Sequence, residues 1–477
     1  MPEAERLSHM QRSKPVQMSE WEGSKRIACL NLMKILLLAV QTALFMVLWF
    51  GFYQANMLHP YYYWGNWVMG GVFMTLYLIF ARLYGGLQIN TARGGEIAYS
   101  LAIGSVFTYF IIYCVICLLS YRLVSPLPLL ACWAVSALFA ALWAWLAVRL
   151  NDRLFPPKRV CIVYDNEEAY EATSAIRQLS WKFQVTGSLN IDQGLDAIFA
   201  AIRNSEAVFL CGLRSSTRNT ILKYCIAHNI EAYIQPKIGD ILVSSASRVH
   251  LMNLPFLHCT RNNRSYWYRI AKRAMDVVIS ALALVVASPV MLLSAVAIRC
   301  CDGGPVFYRQ RRLTENGRTF DILKFRSMRV DAEKDGVARL ASEHDDRITP
   351  VGKILRKYRL DELPQFLNIL KGEMSVVGPR PERPEIAAQY EELIPEFRLR
   401  LQVKAGLTGY AQVYGKYNTN PYDKLEMDLM YIAKPSILQD IALLFATVKI
   451  LFQAESTEGV AEGRVTAVRD ESDKLSV

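Results

Sequence analysis

Four long apolar runs, Ile35–Phe52, Trp64–Leu83, Ile97–Leu119 and Leu127–Val148, fill the first third of the chain and restrict its folding more than any other feature. Each meets the roughly 17–25 residues that an α-helix needs to cross about 30 Å of hydrocarbon. One such run is compatible with a buried core helix. Four in succession, edged by Trp49, Tyr61, Tyr62, Tyr63 and Trp64, predict a four-helix transmembrane bundle over residues 31–150. The mean hydropathy of +0.16 over 477 residues agrees and excludes a disordered chain. The first run starts too late and continues too long for a cleavable signal peptide, so residues 1–30 read as an N-terminal tail.

The net charge of +11 suits either nucleic acid or a membrane surface. Hydropathy decides for the membrane, and no nucleic-acid partner is expected. Basic residues flank the runs unevenly. Lys25, Arg26 and Lys34 precede the first, Arg82 and Arg93 lie in the middle loop, and Arg149, Arg153, Lys158 and Arg159 follow the fourth. The other two loops offer His59 and Arg122, so positive-inside counting places the N-terminus and everything after Val148 in the cytoplasm. The ten cysteines require no pairing there, and Cys114 and Cys117 read as membrane-helix residues.

Residues 157–259 change character. Short β-rich runs (Val160–Tyr164, Phe183–Leu189, Ala207–Leu210, Glu231–Ile234) alternate with helical stretches, which predicts a Rossmann-like α/β domain. The turn after the first strand, Tyr164-Asp165-Asn166-Glu167-Glu168, has no glycine and is acidic, so a nucleotide phosphate is not expected there. An assembly or regulatory role fits better.

A fifth apolar run, Met275–Ile298, opens residues 261–477. Ser288-Pro289 lies within it, and proline removes a helix hydrogen bond and clashes with the preceding turn. Lys272 and Arg273 precede the run, and Arg299, Arg309, Arg311 and Arg312 follow it. A re-entrant helix broken at Ser288-Pro289, returning to the side it entered from, satisfies these features; a kinked fifth span is the alternative.

Chemistry concentrates after the hairpin. Seven cations, Arg309, Arg311, Arg312, Arg318, Lys324, Arg326 and Arg329, suit phosphates or anionic headgroups. In Lys324-Phe325-Arg326 the alternation predicts both cations on one face of a strand. Asp361 and Glu362 follow Arg356-Lys357-Tyr358-Arg359 and precede Pro364 at a helix start. Carboxylates there are commonly caps. Among so many cations, however, two adjacent carboxylates also make a Mg²⁺ site with phosphate oxygens as further ligands. Pro379 and Pro381 restrict the backbone around Arg380 and hold its guanidinium ready for a charged group.

These blocks resemble the bacterial sugar transferases, the large membrane-anchored polyprenyl-phosphate phosphoglycosyl transferases. The marks are Lys272-Arg273-x-x-Asp276, Ser288-Pro289, Lys324-Phe325-Arg326-Ser327-Met328, Leu360-Asp361-Glu362-Leu363-Pro364-Gln365, Gly378-Pro379-Arg380-Pro381 and Gly406-Leu407-Thr408-Gly409. The resemblance implies an enzyme of the bacterial inner membrane with a monotopic catalytic domain over residues 261–477. It would move hexose-1-phosphate from a UDP-sugar, glucose or galactose foremost, to undecaprenyl phosphate, with release of UMP, as the first membrane step of exopolysaccharide, capsule or O-antigen assembly. It further implies Asp361 as nucleophile, Glu362 as Mg²⁺ ligand, and Lys324, Arg326, Arg356 and Arg380 as phosphate-binding groups, with Arg273, Ser288 and Pro289 in the membrane hairpin.

The helical pattern Ser436–Phe452, with Asp440 and Lys449 off its apolar face, reads as an interfacial helix, with a core helix as competitor. Asp423, Lys424 and Asp428 before it are candidates for shaping the sugar-nucleotide pocket. A homodimer through the four-helix bundle is compatible with the sequence. Two other function classes remain open: a glycosyltransferase releasing UDP, and a non-catalytic membrane scaffold.

Overall fold

A computed structural model describes residues 20–57, 64–261, 265–330, 347–415 and 420–451. Residues 1–19 of the expected N-terminal tail, the aromatic edge Tyr61–Tyr63 with His59, and residues 452–477 lie outside the described residues. Two compact units result, Met1–Gln235 and Pro236–Val477.

The first unit begins with four long helices, α1 (Glu20–Leu48, continued by tighter and wider turns to Asn56), α2 (Gly65–Leu83), α3 (Gly94–Ser120) and α4 (Leu127–Leu154). Their inward residues share one core built on Leu37, Phe45, Trp49, Phe73, Ile97, Ile112 and Trp143. Phe45 stacks on Phe73 at 4.5 Å between ring centres. Some polar groups inside are paired: the Trp49 indole donates to Asn66 at 2.8 Å, and the Gln41 amide to the Ser136 carbonyl at 3.0 Å. Meanwhile Val47, Trp67, Leu138 and Leu142 point outward, which suits lipid rather than water.

A parallel α/β sheet follows: β1 (Lys158–Tyr164), α5 (Glu167–Gln178), β2 (Phe183–Asn190), α6 (Leu195–Arg203), β3 (Ala207–Cys211), α7 (Ser215–Ala227) and β4 (Glu231–Ile234). The strand order is β2-β1-β3-β4, all parallel. Val160, Cys161, Ile162 and Val163 are all buried, as a central strand covered on both faces requires. The four β-rich runs read from the sequence are these four strands.

The second unit starts with α8 (Ile238–Ser244) and an antiparallel hairpin, β5 (Ser247–Leu251) and β6 (Leu254–His258). Helix α9 (Tyr266–Asp302) is 37 residues long and continues through Pro289, where the Ser288 hydroxyl donates to the Val285 carbonyl. Leu282, Val285, Val286, Leu292 and Leu293 on it are each more than 60% exposed. Among the described residues, five helices, α1 to α4 and α9, are long and apolar enough to cross a membrane.

The rest of the unit is compact: an antiparallel hairpin β7 (Phe307–Leu313) and β8 (Thr319–Phe325), α10 (Pro350–Lys357), α11 (Gln365–Lys371), β9 (Ser375–Val377), α12 (Pro384–Leu393), β10 (Gly406–Thr408), α13 (Tyr410–Tyr414), α14 (Pro421–Ala433) and α15 (Ile437–Leu451). Phe320, Ile322, Ile369, Val376, Tyr431 and Leu443 form one core. Ile238 and Ile241 of α8 enter another with Tyr390, Phe397, Leu425 and Leu429.

Candidate active site

Helix α10 is started by Thr349, whose hydroxyl accepts from the Gly352 amide at 3.0 Å, and by Pro350 in its first turn. It stops at Arg359, which takes a left-handed conformation (φ 52°) that a non-glycine residue adopts only at a cost. The reversal places Leu360, Asp361 and Glu362 in one tight turn immediately before α11.

Cations converge on Glu362. Its Oε1 accepts from Lys324 Nζ at 3.3 Å and from Arg380 Nη2 at 3.1 Å. Burial alone would raise the Glu362 pKa, but Lys324, Arg380 and Arg359 outweigh it and hold the carboxyl far below the usual carboxylate range. Asp361 goes the other way: burial and the adjacent Glu362 raise its pKa, against the attraction of Lys324, Arg356 and Arg380. Asp361 has no hydrogen bond or ion pair from its carboxylate among the described residues, and Arg356 Nη1 is buried beside it without a hydrogen-bond partner. Lys324 is lowered by burial, with Glu362 opposing. The arrangement therefore pairs one clamped, ionised carboxylate with one uncommitted carboxylate.

Arg380 is held through its backbone. Gly378 donates to Thr408 at 2.8 Å and Gly406 donates to the Pro379 carbonyl at 2.8 Å. A Cβ on Gly378 would come within 3.1 Å of the Gly406 nitrogen, so both blocks need glycine where the chains cross. The Pro381 carbonyl accepts from Arg312 Nη1 at 3.1 Å. Burial lowers the Arg312 pKa to about 10, against the pull of Glu382. Upstream, the Val377 carbonyl accepts from Lys272 Nζ at 3.1 Å and from the Tyr431 hydroxyl at 3.2 Å. Asp276 accepts from the Ser375 hydroxyl and the Val376 amide, each at 3.0 Å.

The candidate residues thus separate. Lys324, Asp361, Glu362, Arg356 and Arg380 lie together, framed by Pro379 and Pro381. Arg326, expected on the same face as Lys324, has a different partner: it is 7% exposed and pairs with Asp302 at the end of α9. Arg273 donates to the carbonyls of Ile369 and Leu370, both at 2.7 Å, closing the end of α11. Ser288 and Pro289 stay within the exposed part of α9. Asp440, expected off the apolar face of its helix, is fully buried, 3.0 Å from Lys272 and 2.8 Å from the Tyr431 hydroxyl. A buried charge needs such a partner, and no helical periodicity discloses one.

Arg400 was not legible as a site residue. It is buried, donates through Nε and Nη2 to Asp428 at 3.0 and 2.7 Å, and reaches the Arg380 carbonyl at 3.1 Å. It also lies 3.5 Å from Glu382. Asp428, a candidate pocket residue, serves this arginine.

Apolar helices exposed on their outer faces define a membrane protein, and beside one of them cations clamp a carboxylate pair. Residues 267–454 match the family described as bacterial sugar transferase. The chain is 32% identical over 319 residues to a UDP-N-acetylgalactosamine-undecaprenyl-phosphate N-acetylgalactosaminephosphotransferase of Aeromonas hydrophila, covering 66% of this chain and 72% of that one. It is 44% identical over 185 residues to the UDP-glucose:undecaprenyl-phosphate glucose-1-phosphate transferase of Escherichia coli (strain K12), which covers 38% of this chain and 40% of that one. Against the transferase of the same name from Caulobacter vibrioides the identity is 40% over 192 residues, 39% of this chain and 72% of that one. The chain belongs to the bacterial sugar transferase family.

Proposed function

We propose that the protein transfers hexose-1-phosphate from a UDP-sugar to undecaprenyl phosphate and releases UMP. The observation that carries this is the division of labour in the dyad: Glu362 is clamped by Lys324 and Arg380, while Asp361 is left uncommitted among cations. An Asp361 oxygen attacks the sugar-bearing phosphorus, forming a P–O bond as the bond to UMP breaks. The phosphate oxygen of undecaprenyl phosphate then attacks the same phosphorus and frees the Asp361 carboxylate. Lys324, Arg356 and Arg380 offset charge on the phosphates in both steps.

The residues fit Mg²⁺. Among the described residues no three metal-ligating side chains cluster, but a pair of carboxylates supplemented by phosphate oxygens and water is the usual Mg²⁺ donor set. When bound, the ion supplies charge neutralisation at the phosphates.

The re-entrant reading of α9 is supported by its contacts. Near its start, Lys272, Arg273 and Asp276 bind β9 and α11 of the catalytic unit, and at its end Ile298 packs with Phe325 and Leu355 while Asp302 pairs with Arg326. Both ends held by one globular unit favour a reading in which both lie on one side of the bilayer, the cytoplasmic side of the inner membrane, with α1 to α4 spanning it. Undecaprenyl phosphate reaches the dyad along that helix.

The test is to supply UDP-glucose, UDP-galactose and UDP-N-acetylgalactosamine with undecaprenyl phosphate and identify the nucleotide released. UMP supports the proposal. UDP would make the chain a glycosyltransferase, and no turnover with any sugar would favour a scaffold.

A further inference from the structure

The seven-cation segment does not face one way. In the β7–β8 register, Tyr308 opposes Lys324 and Arg312 opposes Phe320, whereas Arg309 opposes Leu323 and Arg311 opposes Asp321. Side chains alternate across a strand, so Lys324 and Arg312 share the face of the dyad while Arg309 and Arg311 occupy the reverse face. On that reverse face lies a bowl of about 900 Å³. Six cations line it: Arg269, Arg309, Arg311, Arg318, Lys371 and Lys404. Three carboxylates also reach it, Glu315, Asp321 and Glu373. Glu373 is already taken by the Asn368 amide at 2.7 Å. None of the six cations forms an ion pair among the described residues. At the edge, Gly372 takes φ +89° and has no side chain where Lys404 Nζ and a guanidinium nitrogen of Arg273 approach, which leaves room for a ligand atom.

The bowl is separate from the dyad. It opens at the C-terminal end of α11, at Lys371 and Gly372, and the dyad precedes the N-terminal end. Seven helical residues put about 10 Å between them. Arg269 brings the first turn of α9 to its rim, next to Tyr266 and Trp267, which are 65% and 77% exposed. Aromatic residues of this kind sit at the headgroup level of a bilayer, and basic pockets beside membrane helices bind phosphate headgroups.

We infer that this bowl is a second anion site, distinct from the transfer site, which takes a phosphate-bearing group at the membrane surface. Two sources share that chemistry, an anionic phospholipid headgroup and a soluble diphosphate. The full-length protein in phosphatidylcholine nanodiscs is titrated with dihexanoyl-phosphatidylglycerol below its micelle concentration and, separately, with inorganic diphosphate. The comparison is with the variant R309Q/R311Q/K371Q and with Arg380→Gln, which alters only the transfer site. The triple variant is expected to bind one of the probes at least about tenfold more weakly, while Arg380→Gln leaves that binding unchanged. Loss of the lipid probe identifies a headgroup, and loss of diphosphate identifies a soluble ligand. Unchanged binding of both in the triple variant, or loss of both in Arg380→Gln, overturns the inference. If the triple variant does not fold, Arg311→Gln and Lys371→Gln are read singly, and a wild-type affinity that does not fall with salt equally overturns it.

Discussion

The Arg261 guanidinium donates to the side-chain oxygen of Asn316 at 3.1 Å, across 55 residues that include the whole of α9. A residue before the apolar helix thus meets one after it. Cysteines placed at Arg261 and Gly317 are expected to react with a membrane-impermeant label from the same side, the cytoplasmic one. Labelling of the second from the periplasm would make α9 a fifth span and separate the dyad from cytosolic UDP-sugars.

Asp361→Asn is expected to abolish both turnover and the covalent phospho-sugar adduct, because an amide is a poor nucleophile. Chelation of divalent cations should stop UMP release in the wild type, and added Mg²⁺ should restore it. Near-normal rates in Asp361→Asn would reduce the residue to a helix cap.

The pH dependence follows from the direction of the Asp361 shift. Burial and Glu362 raise its pKa, and a carboxylate acting as nucleophile must be ionised, so activity is expected to be lost as pH falls through a value above the ordinary carboxylate range of about 4. Arg356 is one of the cations opposing that rise. Arg356→Gln should therefore move the acid limb of kcat/KM to still higher pH. A limb that stays in place or moves down would show that Arg356 acts elsewhere.

Arg400→Ala should cost about 3–5 kcal/mol in denaturant unfolding, since it strands Asp428 as a buried charge. It also frees the Arg380 carbonyl. Arg400→Lys keeps the charge but not the forked geometry, so it should recover more stability than rate. Full activity in a folded Arg400→Ala protein would remove Arg400 from the support of Arg380.

A chain of residues 236–477, held in lipid, should retain Mg²⁺-dependent UMP release. One of residues 261–477 should be less stable, because it lacks the α8 residues Ile238 and Ile241 that pack on Leu425 and Leu429. UMP assays and melting curves on both, beside the full-length chain, decide this. Equal stability would make α8 a passenger, and a folded 236–477 chain without activity would mean that the first unit completes the site.

The sequence by itself determined the local features of this protein: the long apolar helices, the four strands of the parallel sheet and the dyad at a helix start. Each depends on periodicity or on covalent neighbours, which a linear reading contains. Tertiary structure decided which charges meet. Lys324 and Arg326 are two residues apart, yet one pairs with Glu362 and the other with Asp302. Asp440 is buried because Lys272, Tyr268 and Tyr431 surround it, the second of these 172 residues away in sequence. The same alternation that made a basic segment recognisable divides it between two faces of a hairpin once β7 and β8 pair. The attraction between two charges is strong only where they lie close together and shielded from water, and that depends on distances through space that spacing along the chain does not encode.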